Sequence, residues 1–152
     1  MMENYDSEYR SLFESLAKVR QNLETILQLS NVDDDAFSWI MFAYVSSEDD
    51  EHSYRKVRRL IVSELDEKLH YEVADNPSLA LRVADLTIAE ALGGDLKQSH
   101  RASILGVSKP TYYRNAHRYN SLMEVARNVV VDWEQEARNK MLENSRSSAI
   151  EE

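Results

Sequence analysis

The chain has no cysteine among its 152 residues. That excludes a disulfide scaffold, a thiolate zinc site, an iron–sulfur cluster and a cysteine nucleophile together. Glycine (3) and proline (2) are scarce, too few for the turns of a β-rich or loop-rich protein. No apolar run approaches the ~20 residues of a membrane span, and the longest, Trp39 to Val45, holds seven. The polar, acidic opening Met1–Arg10 does not read as a signal peptide. These absences lead us to expect a soluble, cytoplasmic protein without a membrane association. With 43% hydrophobic and 30% charged residues, the chain can bury a core as one domain, or as a small domain with a helical arm.

The net charge of −9 argues against a protein that merely coats phosphate. The distribution of that charge points the other way. Residues 1–53 hold twelve acids and three bases. Residues 97–123 hold five bases (Lys97, Arg101, Lys109, Arg114, Arg118), two histidines (His100, His117) and no acid. Residues 128–152 return to six acids and three bases. An acid-free basic island in an acidic chain is the footprint of a polyanion site; a chance gap among 27 acids is the alternative. A second basic knot, Arg55-Lys56-Val57-Arg58-Arg59, is either another phosphate contact or a solvated helix face paired with Glu51 or Glu64.

Periodicity predicts an all-α fold. Tyr5, Tyr9, Leu12, Leu16, Val19, Leu23 and Ile26 follow a 4-3 heptad spacing, which predicts a helix over 6–29. Asn31 and Asp33–Asp35 interrupt it; the aspartates read as cap and first-turn acids of a second helix, not as a calcium loop, which needs a Gly and a distal Glu. That second helix carries Phe37, Ile40, Met41 and Tyr44 on one face, and a third carries Tyr54, Val57, Ile61, Leu65 and Leu69. Asn76-Pro77 opens a fourth helix with Leu81, Ala84, Ile88, Ala91 and Leu92 inward, and Gly93-Gly94 closes it. Asp95 is placed to cap a fifth. From Ser108 onward the pattern Tyr112, Ala116, Tyr119, Met123, Ala126, Val130, Trp133, Ala137 runs without Gly or Pro beyond residue 110, with Met141 one residue out of phase. It predicts one uninterrupted helix of about 35 residues. The two heptad stripes suggest a homodimer, or a first and last helix packed together within one chain. The expected divisions are an acidic helical region over 1–75 for partner binding or dimerisation, a helix-turn-helix region with a long C-terminal helix over 76–144, and a flexible tail over 145–152.

The informative stretch is Gln98 to Arg114. Ala102 is small where two helices cross, Ile104 and Leu105 seat the first helix, and Gly106 supplies a positive φ for a tight turn. Val107 plugs the turn, Ser108 caps the second helix, and Pro110 falls in its first turn, where its missing N–H costs nothing. Lys109, Thr111, Tyr112 and Arg114 then occupy the opening turns, the part of such a motif that enters a major groove. The string A-x-x-L-G-V-S-x-x-T-Y-Y-R resembles the helix-turn-helix signature of bacterial and phage regulators, including Fis-like and sigma-region-like modules, over about 20 residues from Gln98 to His117. Asn115 departs from that pattern, which has an apolar residue there. The layout, a small acidic helical protein with L-G-V-S-K-P-T-Y-Y-R in its C-terminal half, is similar to phage late-gene antitermination proteins of the Q type. That resemblance implies double-stranded DNA near a late promoter and bacterial RNA polymerase as partners.

The residues expected to meet DNA are Gln98, Arg101, Ser108, Lys109, Thr111, Tyr113, Arg114, His117 and Arg118. Arg114, Lys109 and Arg118 suit phosphates or guanine edges, Thr111 and Tyr113 suit bases, and Gln98 and Arg101 suit backbone clamping. Tyr112 starts the heptad stripe and is assigned to the core. Trp39 and Trp133 read as core or interface. His52, His70, His100 and His117 show no H-E-x-x-H or tight pairing, so no metal is expected, and no cofactor or catalysis is indicated. The function expected is sequence-specific transcription regulation, as an antiterminator or a repressor. The same motif on a phage packaging subunit of the small-terminase kind is the alternative, and a protein-binding inhibitor is a third.

Overall fold

The computed structural model describes residues 20–46, 50–94 and 96–151, and every regular element among them is helical. In chain order these are α1 (Arg20–Leu29), α2 (Asp34–Ile40) running straight into a π turn (Met41–Val45), α3 (Glu51–Lys68), α4 (His70–Asp75), α5 (Pro77–Gly93), α6 (Gln98–Leu105), α7 (Lys109–Arg114) and α8 (Ala116–Glu151). The protein is all-α with a long C-terminal helix, as its periodicity predicts. No helix among the described residues is long and apolar enough to cross a membrane.

The chain divides into two compact units, one of 1–57 with 131–152 and one of 58–130. The divide falls inside α3 and α8 rather than at 75–76, where the charge profile suggests it. Val57, Ile61 and Leu65 keep α3 buried on one line past the divide, so no loop is needed there. The split sorts the charge. Unit 58–130 has ten bases against nine acids, a net of +1, whereas the other has eight bases against eighteen acids, a net of −10.

In the acidic unit, Leu23 and Leu27 of α1 are fully buried and Ile26 is half-buried, so the inward line passes to Leu27 rather than Ile26. The rest of the expected stripe, Tyr5 to Val19, lies outside the described residues. The chain leaves α1 through Asn31 at φ 56°, a left-handed conformation that Asn tolerates better than other residues with a Cβ. Asp34 and Asp35 sit in the first turn of α2, where the helix dipole favours them. Asp33 stands at the cap position without a side-chain cap bond, against the capping expected of it. The buried face is Ala36, Trp39, Ile40, Phe42 and Tyr44, not the expected Phe37, Ile40, Met41 and Tyr44. Two things move it. The π turn, closed by the Ser46 N–H on the Met41 carbonyl at 2.7 Å, changes the residue angle after Ile40. Trp39 also finds an inward partner: its Nε1–H donates to Glu134 Oε1 at 3.0 Å, and the Tyr44 hydroxyl donates to the same oxygen at 2.8 Å. Trp39 and Trp133 are both core, as expected.

Asp33 and Asp35 stand near Glu136 of α8. Burial, then the charges of its two aspartate neighbours, hold the Asp35 carboxyl above its ordinary value; Lys56 opposes this. Burial, then Asp33, do the same to Glu136. A carboxyl with a raised pKa in the fold favours folding below its unfolded value and loses that contribution as pH rises through the folded value. Glu136→Gln is therefore expected to raise the thermal midpoint at pH 7. The gain should vanish in scans below the ordinary carboxylate range, about pH 4.

In the other unit, Asn76 caps α5 by accepting the Leu79 N–H at 3.1 Å, Pro77 follows it, and Gly94 at φ 84° ends it. The buried face of α5 runs through Leu79, Val83, Ala84, Leu86 and Ile88, while Leu81 and Leu92 are exposed, contrary to their expected inward position. On α8 the expected stripe from Tyr119 through Met123, Ala126, Val130, Trp133 and Ala137 is buried, joined by Leu122, Val129 and Met141. These α8 positions are buried within the chain. The backbone of α8 stays helical to Glu151, past the boundary near 144 that the polar composition suggests.

Candidate nucleic-acid interface

Helices α6 and α7 and the turn between them form a helix-turn-helix whose parts follow from local chemistry. Helix α6 starts at Gln98 with Lys97 at the cap position and no side-chain cap bond; Asp95, expected there, lies outside the described residues. Ala102 and Leu105 bury α6 against its neighbours. The Val107 N–H reaches the Ala102 carbonyl at 3.0 Å and the Gly106 N–H reaches the Ser103 carbonyl at 3.1 Å. This is a Schellman ending, and it requires the left-handed conformation of Gly106, φ 74° and ψ 25°. Ser108 then caps α7: its Oγ accepts the Thr111 N–H at 3.3 Å and donates to Thr111 Oγ1 at 2.8 Å.

Helix α7 is six residues long and is a separate element from α8, which corrects the single helix expected from Ser108 onward. The break is Asn115, at φ −113° and ψ 20°. Both its backbone N–H and its side-chain Nδ2 donate to the Thr111 carbonyl at 3.1 Å, the local competition with helix that Asn side chains offer. Buried Tyr112 and Tyr119 fix the bend by stacking at 5.8 Å between ring centroids and 16° between planes. Seven residues of straight helix would separate two such positions by about 10 Å. The heptad spacing runs unbroken across Asn115, so periodicity alone shows no joint there.

The expected DNA-binding residues divide by what their side chains do. Lys109 and Arg114 are exposed and pair with no carboxylate among the described residues; Lys97, beside the motif, shares that state. Ser108 is committed to the cap and Thr111 accepts its hydroxyl. Tyr113 is 51% exposed and its hydroxyl donates to Gln98 Oε1, so these two residues from the two helices of the motif are joined to each other. His117 is exposed on the first turn of α8. Arg118 on the same helix lies 3.2 Å from Asp75 Oδ2, an exposed pair.

Arg101 departs from its expected role as a clamp. Its side chain is 21% exposed and its Nε lies 2.7 Å from Glu90 Oε1, as an ion pair whose N–H is not aligned for a hydrogen bond. Burial disfavours its charge, but the neighbouring Tyr112 phenol and the negative charge of Glu90 outweigh this and raise its pKa. The other Glu90 oxygen takes Arg127 Nη2 at 3.1 Å. Glu90 therefore ties α5, α6 and α8 together behind the motif. Nothing local marks Glu90 in the sequence, because its partners lie on other helices. Glu90→Gln leaves the guanidinium of Arg101 largely buried without its countercharge and is expected to cost about 2 kcal/mol, read as a lowered urea midpoint at an unchanged slope.

In the second basic knot, Arg55 pairs with Glu51 at 2.6 Å and Arg58 with Asp85 at 3.5 Å. These two arginines are thus salt-bridged, Arg55 to the Glu51 expected of it. Among the described residues no three of His, Asp and Glu come together as a metal ion requires. No family model matches the chain, nor does a curated protein or a solved structure.

Proposed function

We propose that this chain is a sequence-specific DNA-binding transcription regulator that reads a duplex with the opening of α7. The observation that carries the reading is the exposure of Lys109 and Arg114, unpaired with any carboxylate among the described residues, directly after the Gly106 turn and the Ser108 cap. The charge sorting supports it: the motif lies in a unit of net +1 while the other unit carries −10. A surface of −10 is repelled by phosphate, which suits it to a protein partner. In its sharper form, which rests on the resemblance of L-G-V-S-K-P-T-Y-Y-R and the layout to phage antitermination proteins, that partner is bacterial RNA polymerase.

Selection of bound duplexes from a random pool tests the reading. It predicts enrichment of a defined sequence and an affinity that falls steeply with salt, as released counterions require. A pool that stays random, or an affinity indifferent to salt, would overturn it.

A further inference from the structure

Arg82 belongs to α5, outside the helix-turn-helix, yet its guanidinium lies over the turn of the motif. A Cβ built on Gly106 would sit 2.6 Å from Arg82 Cζ and Nη1 and 3.0 Å from Nε. The absence of a side chain at Gly106 thus serves two ends: it permits φ 74° and it leaves the space that the guanidinium fills. Its acceptor among the described residues is the Ile104 carbonyl, at 3.5 Å from Nη1. Arg82 is exposed and makes no ion pair with a carboxylate among the described residues. It differs in this from Arg101, Arg118 and Arg127, which are each held by an acid.

We propose that Arg82 is a phosphate-contacting residue of the DNA interface, a cation supplied from α5 to the turn two residues ahead of Ser108. This rests on the duplex-binding reading of the motif and extends its contact set beyond Gln98–Arg118. A guanidinium presents five N–H donors in a planar fork. One long bond to a carbonyl orients the fork and leaves most donors for an anionic oxygen. The cations around the motif left without a carboxylate partner among the described residues are then Arg82, Lys97, Lys109 and Arg114, while Arg101 is held by Glu90.

The test is the salt dependence of duplex binding by the full chain, using the sequence selected from the random pool, for wild type, Arg82→Ala, Arg82→Gln and Lys109→Ala. Each neutralised phosphate contributes about 0.9 to the slope of log K against log salt. Arg82→Ala should therefore lower the slope magnitude by about one and weaken binding about eightfold at 0.1 M salt. Arg82→Gln keeps a polar side chain over the turn and should show the same loss of slope, which separates lost charge from a disturbed turn. If Lys109→Ala weakens binding while both Arg82 variants keep the wild-type affinity and slope, the assignment of Arg82 is wrong and the motif reading stands. An Arg82→Ala loss with an unchanged slope also overturns the assignment, because it places the effect in the packing of the turn. If wild type itself shows no salt-dependent duplex binding, both readings fall.

Discussion

Replacing Lys109 or Arg114 by alanine is expected to weaken binding to the selected duplex by about 1–3 kcal/mol each where a base edge is read, or about five- to 150-fold. The double variant should lose more than either single one. Both side chains are exposed, so neither substitution removes a buried contact, and the thermal midpoint should move little. That pairing of a large binding loss with unchanged stability separates an interface from a scaffold. A gel shift under matched salt, beside a melting curve of each variant, reads it. A residue that contacts only phosphate should weaken all sequences alike, whereas one that reads a base should also relax the preference at one position.

The second large effect belongs to stability. Trp39 is fully buried, and its Nε1–H shares the buried Glu134 carboxylate with the Tyr44 hydroxyl. Trp39→Ala removes the largest fully buried side chain among the described residues and one donor from that carboxylate, and is expected to cost about 3–5 kcal/mol. Trp39→Phe keeps most of the apolar volume and removes the donor, so it should fall between wild type and Trp39→Ala. The difference between the variants measures the packing share of the loss. Denaturant unfolding checks both; a Trp39→Ala loss under about 1 kcal/mol would show that the site collapses around the missing ring.

The parts of this structure that were legible in the sequence are those decided within a few residues. Gly106, Ser108 and Asn76-Pro77 mark their own turn and caps because φ and a side-chain oxygen settle the matter locally. The α8 stripe was legible because an apolar line at helical spacing has to be covered by something. What the spacing left open was the covering surface, and much of it is supplied by the chain itself. The joint at Asn115 was hidden because the two tyrosines keep their heptad positions while a side-chain amide diverts the backbone. The inward turn of Trp39 depends on Glu134, 95 residues away. The neutralisation of Arg101 by Glu90 and the approach of Arg82 to Gly106 likewise depend on helices that only the tertiary fold brings together. The basic island was therefore identified as a segment, but which of its cations remain available required the fold.

The most direct test of the claim that the turn and the opening of α7 meet a duplex is amide mapping by NMR. Titration of the uniformly labelled chain with the selected duplex should shift resonances of 97–118 and of Arg82, leaving those of 33–45 in place. Shifts concentrated in 33–45, or none at all under conditions where a gel shift shows the duplex bound, would contradict it.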